Sequence, residues 1–150
     1  MIVRRSLPRV LLCLLVVVAE VAEAAQVRIG DRAVVTVEVA HTETEKVRGL
    51  SGRDGLAPGR GMLFVYQAPA RPLIWMQGMR FPLDILFIQD GRVVDLVKGA
   101  NPPAPGATPE VFAPREKVQY VLEVPAGFAD RYGVVLSDPV KIDLGRGGVQ

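Results

Sequence analysis

Apolar and polar residues alternate with a period of two in short runs bounded by glycine, proline and aspartate, a spacing that predicts strands rather than long helices. Residues 27–29 and 33–39 read as a strand pair around Gly30-Asp31. In the second strand Val35, Val37 and Val39 share one face while Thr36 and Glu38 take the other, so it is expected to be half exposed. Thr42 and Glu45 stand at capping-box spacing, and Val47 and Leu50 supply one apolar edge of a two-turn helix ending within 49–52. Strands follow over 61–66, 73–76 and 83–89, and Asp90-Gly91 turns the last of these into a hairpin with 92–98. Pro102, Pro103, Pro105 and Pro109 remove amide donors from 99–110, which predicts an extended surface loop. A strand over 120–124, a short helix within 125–132 between Pro125 and Gly133, and a final strand over 140–144 complete the pattern. The fold class expected is a single, mainly β domain with two short helices, arranged as an antiparallel sandwich or partly closed barrel. Parallel pairing is not expected, because no long helical crossover is available.

One run departs from simple alternation. Leu83, Ile85 and Phe87 fall on one face of the 83–89 strand, while Leu86 and Ile88 join Asp84 on the other. Both faces are therefore expected to be covered, with Asp84 where water is scarce. Its natural partner in sequence terms is a guanidinium, from Arg48 or Arg53, whose planar fork grips a carboxylate through two hydrogen bonds. Such a pair reads as a structural clasp. The functional alternatives are an arginine holding an anionic ligand that Asp84 orients, or Asp84 as a general base. Glu123 lies opposite the apolar face formed by Tyr120, Leu122 and Val124, so it is expected to point to solvent or to a cross-strand cation.

Composition narrows the function classes. Arg4, Arg5 and Arg9 precede an apolar run over 10–19, and Ala22-Glu23-Ala24 offers a small-residue cleavage site, so residues 1–24 are expected to be a cleaved signal peptide and the protein periplasmic or secreted. The run is too short to span a bilayer, and no stable membrane span is expected after cleavage. The route, general secretion or twin-arginine, stays open. The mature domain then covers 25–144, with a flexible tail over 145–150. Removing the leader from 18 basic and 16 acidic residues leaves 15 and 14, a net charge of +1, which argues against a nucleic-acid partner. Cys13, the single cysteine, leaves with the leader, so no disulfide is expected. One histidine, His41, and no mature cysteine exclude a structural zinc site, and no glycine-rich loop carries the lysine of a phosphate cradle; no cofactor is expected.

The remaining chemistry concentrates in residues 61–88, which hold the one tryptophan, Trp75, and three of the four methionines. Met62, Met76 and Met79, with Trp75 and His41, would offer soft neutral ligands to Cu(I) in an oxidising compartment; as core residues the same side chains fill irregular space. Tyr66, Trp75, Phe81 and Phe87 form either one shared core or the wall of an apolar cleft covered by the proline loop. Partial exposure of Trp75 is the observation that would favour the cleft.

Several blocks taken in order, Ala40-His41-Thr42, Arg48-Gly49-Leu50-Ser51-Gly52-Arg53, Gly61-Met62-Leu63-Phe64, Trp75-Met76, Pro82-Leu83-Asp84-Ile85 and Tyr120 through Gly127, resemble the domain of unknown function 192 family over roughly residues 34–144. The resemblance implies a compact β-rich domain, often exported, without an established activity. The chain departs from the family pattern after Trp75-Met76, where Gln77 and Gly78 replace a basic residue and an asparagine; Gly78 suits a left-handed corner before Pro82. With no recognisable nucleophile, metal cluster or acid pair, the reading is a module that binds a small molecule or an exported partner protein through Arg48, Arg53, Trp75, Met76 and Asp84. The alternatives are a hydrolase or lyase using Asp84 or Glu123 with Arg48 or Arg53, a Cu(I)-binding protein, and an assembly subunit that self-associates through an exposed apolar patch.

Overall fold

The computed structural model describes residues 24–145. The leader expected over 1–24, apart from Ala24, and the tail expected over 145–150, apart from Gly145, lie outside the described residues. Among the described residues nine strands and two short helices follow one another: β1 (Gln26–Ile29), β2 (Ala33–Ala40), α1 (Glu43–Arg48), β3 (Arg60–Ala70), β4 (Ile74–Trp75), β5 (Leu83–Gln89), β6 (Arg92–Ala100), β7 (Val111–Phe112), β8 (Val118–Pro125), α2 (Phe128–Arg131) and β9 (Val140–Asp143). Seven strands make one sheet in the order β6-β5-β8-β3-β2-β1-β9, and β4 pairs with β7 in a separate ribbon. The sheet curls until its edges approach. Arg92 bridges Pro139, the Val93 amide donates to the Asp138 carbonyl at 3.0 Å, and the Ser137 amide donates to the Val93 carbonyl at 2.7 Å. This is the mainly β, single-domain, partly closed barrel that the alternation predicted.

Two features differ from the sequence reading. β2 and β3 pair in parallel, from Thr36 opposite Arg60 to Ala40 opposite Phe64, whereas every other ladder is antiparallel. The segment from His41 to Gly59 supplies the crossover: α1 is short, but the coil after it provides the remaining reach that a parallel connection requires. The β7 strand directly follows the loop expected over 99–110, in a stretch to which the sequence assigned no element because only Val111 and Phe112 take part, and its pairing partner is the equally short β4.

The sheet buries both faces. On one lie Val27, Val35, Leu63, Leu86, Leu122 and Val124 with Ala129 of α2; on the other lie Leu50, Met62, Phe64, Met76, Leu83, Ile85, Phe87 and Val121. β5 is central to both: Leu83 through Ile88 are all buried, so its broken alternation reflects cover on each side. Each such aliphatic or aromatic side chain contributes roughly 1.5–3 kcal/mol relative to exposure.

Gly61 marks the tightest approach in this sheet. A β-carbon placed there would stand 2.7 Å from the Glu123 carbonyl oxygen, between β3 and β8. Because that neighbour is backbone, it cannot swing aside as a flexible side chain would. Gly61→Ala is expected to cost about 1–3 kcal/mol and lower the melting temperature by several degrees, measured by thermal circular dichroism; an unchanged melting curve would show that the two strands can separate freely.

Candidate functional site

Three acids are buried among the described residues: Asp84, Asp95 and Glu123. Asp84 is 1 % exposed and faces α2, opposite the Leu83, Ile85 and Phe87 side of β5. One carboxylate oxygen accepts from the Gly99 amide at 2.9 Å and the other from the Ala129 amide at 2.8 Å. The second bond caps α2, whose own N-cap, Gly127, has no side chain to offer. Asp84 is thus a clasp between β5, β6 and α2, made with backbone amides. The expected guanidinium pair does not form, because Arg53 grips Glu38 through bonds of 2.6 and 2.8 Å and Arg48 sits on the exposed end of α1. That grip, two hydrogen bonds to a guanidinium, holds the Glu38 carboxyl below its ordinary range. Asp95 is satisfied in the same manner as Asp84, by the Leu96 and Arg115 amides at 3.0 Å each.

Glu123 has no such provision. It is 5 % exposed, so it does not point to solvent as its neighbours in sequence had suggested. β8 lies between β3 and β5, which place Met62 and Ile85 directly beside Glu123 on the same face. Burial alone, with no bond or charge partner to offset it, pushes the Glu123 carboxyl up to about 8 from its ordinary 4.5. The acid is therefore largely neutral at pH 7.

A cavity of about 40 Å³ opens over Glu123. Its walls are the C-terminal half of α1 with Gly49 to Ser51, then Phe64, Leu73, Ile74, Trp75 and Met79. A second hollow, about 210 Å³, shares Lys46, Val47, Phe64, Leu73 and Ile74 with the first and extends along α1 to Glu43 and Tyr66. The two form one groove with an inner chamber and a wider outer lobe. Trp75 is 51 % exposed at its edge, and Val47 and Leu73 are exposed beside it. Val47 thus belongs to the groove rim and not to the core that its helical spacing had implied.

Local interactions fix this arrangement. The Thr42 hydroxyl accepts from the Glu45 amide at 3.2 Å and the Glu45 carboxylate accepts from the Thr42 amide at 2.9 Å, the reciprocal cap that the sequence predicted. Past the helix, the Ser51 hydroxyl donates to the Gln77 carbonyl at 2.8 Å and the Gly52 amide donates to the Gly78 carbonyl at 2.9 Å. Gly78 has φ +70°, the left-handed corner anticipated for it. These bonds tie the end of α1 to the turn that carries Trp75, Met76 and Met79. Lys46 donates to Glu43 at 2.9 Å and rests 4.6 Å from the centre of the Tyr66 ring. Tyr66 is pushed up to about 12, chiefly by burial and secondarily by Glu43 and Glu123.

Of the residues singled out from sequence, Trp75 and Arg48 reach the groove, Arg53 pairs with Glu38, Met76 is fully buried, and Asp84 lies on the opposite face of the sheet. Met62, Met76 and Met79 share one buried cluster, of which Met79 lines the inner chamber, while His41 is exposed at the start of α1. The proline loop does not contribute to the groove walls; α1 and the segment from Pro72 to Trp75 do. The signal for Glu123 was Val121, an apolar residue two positions earlier on the same face. Among the described residues no group of three or more His, Cys, Asp or Glu is placed to hold a metal ion, and no helix is long and apolar enough to cross a membrane.

A model of the family described as DUF192, Uncharacterized ACR, matches residues 19–142. The chain is similar to the crystal structure of a candidate transcription regulator from Sinorhizobium meliloti 1021, with 33% identity and a TM-score of 0.72 over 86% of this chain and 99% of that one. It is also similar to a protein of unknown function from Novosphingobium aromaticivorans DSM 12444, with 31% identity and a TM-score of 0.68 over 80% and 84% of the two chains. None of the curated proteins matches.

Two measurements separate the roles of the two acids. Asp84→Asn turns one acceptor into a side-chain amide NH2 facing a backbone donor, which leaves a buried backbone amide without a partner at a cost of about 1–3 kcal/mol; thermal melting is expected to fall by several degrees, and an unaltered melting temperature would refute the clasp. For Glu123 the sign is opposite to that of an ordinary carboxylate. Between about pH 4.5 and about pH 8 the folded chain holds a proton that the unfolded chain has lost, so stability should fall as pH rises, by about 1.4 kcal/mol per unit at the steepest, and level off above. Glu123→Gln should match the parent near pH 4.5 and melt higher near pH 8; parallel melting profiles for the two proteins would contradict the raised carboxyl.

Proposed function

We propose, for a chain that belongs to the domain of unknown function 192 family, that the groove between α1 and the Pro72 to Met79 segment is a binding site for a fragment-sized molecule. The observation that carries this reading is Glu123: a buried acid without a partner on the floor of an opening walled by apolar and aromatic side chains together with Lys46, Arg48 and Ser51. A few polar groups converging in an apolar pocket are the usual form of a small-molecule site. Chambers of about 40 and 210 Å³ are small for a drug-sized ligand and suit a single ring or short chain with one polar group. Among the described residues the two helices, six and four residues long, and the β4–β7 ribbon, two residues a strand, are too short to read a DNA groove, so the description of the Sinorhizobium relative is not carried over as DNA recognition. In an exported protein, as the leader predicts, the groove would sample molecules outside the cytoplasm.

A second reading is favoured by the same acid. A carboxyl still protonated at neutral pH is equipped to act as a general acid, with Arg48 at the groove stabilising negative charge in hydrolase- or lyase-type chemistry. The narrow inner chamber favours binding over this reading, since a polymer substrate would need an open cleft beside the acid.

A fragment screen by protein-observed NMR on residues 25–150 tests the proposal. Fragments that bind should shift the amides of Lys46, Val47, Leu73, Trp75 and Glu123 together and leave β1 and β9 undisturbed; hits confined to other surfaces, or none at all, would reject the groove as the site.

A further inference from the structure

The charges around the groove select among occupants. Lys46 and Arg48 of α1 both line the inner chamber, and Lys46 lines the outer lobe too. Among the described residues no acid other than Glu123 faces the inner chamber; Glu43 lies in the outer lobe and is engaged by Lys46. From β2, Glu38 stands across the sheet beyond Met62 and is held by Arg53. From β3 comes the Tyr66 phenol, and from β5 the neutral Ile85. Lys46 is compensated by its pair with Glu43, which leaves Arg48 as the lining cation with no ion-pair partner among the described residues; a cationic ligand would meet it and would have to displace a proton from Glu123 to gain a counter-charge. An anionic ligand meets Arg48 favourably and finds an O–H donor at the floor.

From this placement we infer that the groove takes a small carboxylate attached to an aromatic ring or short aliphatic chain, with the carboxylate received by the Glu123 carboxyl and drawn in by Arg48, and the apolar body lying against Phe64, Leu73 and Trp75. An apolar cavity near 150 Å³ is known to accept benzene, and the outer lobe of about 210 Å³ exceeds that. The inner chamber of about 40 Å³ has room for a carboxyl group and little more. A neutral carboxyl facing a carboxylate shares one proton between them, the arrangement that lets two acids sit together without repulsion.

This inference rests on the groove being a ligand site, and one experiment tells the failure of each apart. Trp75 is the sole tryptophan, so its fluorescence reports occupancy directly. Benzoate, benzylamine and benzyl alcohol are titrated into residues 25–150 at intervals from about pH 6 to about pH 9.5, with the parent, Glu123→Gln and Glu123→Ala. The expected result is that benzoate binds most tightly of the three. Its affinity should be steady near neutrality and fall about tenfold per pH unit once Glu123 loses its proton. Glu123→Gln, whose amide still donates, should keep benzoate binding and lose that fall. Glu123→Ala should weaken it about tenfold or more. His41 at the start of α1 is present in all three proteins, so any contribution from it is common to them and drops out of the comparison. Benzylamine binding that strengthens as pH rises, or benzoate binding indifferent to both variants, would overturn the carboxylate assignment and leave the ligand site standing. No response of Trp75 to any of the three would overturn both.

Discussion

Asp84 and Glu123 stand one register position apart on adjacent strands, Asp84 opposite Val124 and Ile85 opposite Glu123, and they face opposite sides of a sheet that is covered on both. An acid in that position must be given donors or must keep its proton. Asp84 receives two backbone amides, and by receiving them it fixes where α2 begins and how the end of β6 bends toward it. Asp95 is treated alike. Glu123 receives none, and the only relief the fold offers is neutralisation and a small opening above it. The clasp and the groove thus arise from one constraint resolved in two ways on the two faces of the sheet.

The groove itself depends on contacts far apart in sequence. α1 is only six residues long and buries none of its own side chains, so its position is not set by an amphipathic face. It is set at one end by the Thr42 and Glu45 cap and at the other by Leu50, which is buried, and by the two bonds from Ser51 and Gly52 to the Gln77-Gly78 turn. That turn in turn places Trp75, which pairs with Val111 of β7. A helix with an unburied apolar residue, Val47, and a two-residue strand with an exposed tryptophan are weak elements alone; held against each other they make the walls of a preformed hollow.

Most of the architecture was legible because it follows from local rules. The Asp90-Gly91 hairpin has both residues at positive φ, the requirement that made the pair a turn signal. β5 occupies the residues predicted for it, and the burial of Asp84 could be read from its apolar neighbours at two-residue spacing. What could not be read depends on strand order. The parallel pairing of β2 with β3 is invisible to a periodicity argument, because the face pattern of a strand is the same whichever way its neighbour runs. Glu123 was misplaced for the same reason: a strand with Tyr120, Leu122 and Val124 on one face looks half exposed until β3 and β5 are known to flank it and α1 to cover it. The partner of Asp84 was misassigned because a backbone amide leaves no trace in the identity of the residue that carries it, whereas an arginine does.

The energetic contrast between the acids bears on what Glu123 is for. A buried carboxyl with no partner weakens the folded state at every pH above its ordinary value, and a glutamine, methionine or leucine at that position would avoid the penalty. The fold has the means to satisfy an acid, as Asp84 and Asp95 demonstrate with ordinary backbone groups. Glu123 instead lies beside Met62 and Ile85, under a hollow edged by the exposed Trp75 and by Lys46 and Arg48. Burial without a partner, apolar side chains in the walls and the Arg48 charge at the entrance each have separate structural causes, in strand order, in the packing of α1 and in the sequence of that helix. Their convergence on one small opening is what a site for a complementary group requires, since the missing hydrogen bond, the space to accommodate its maker and the charge to attract it are found together.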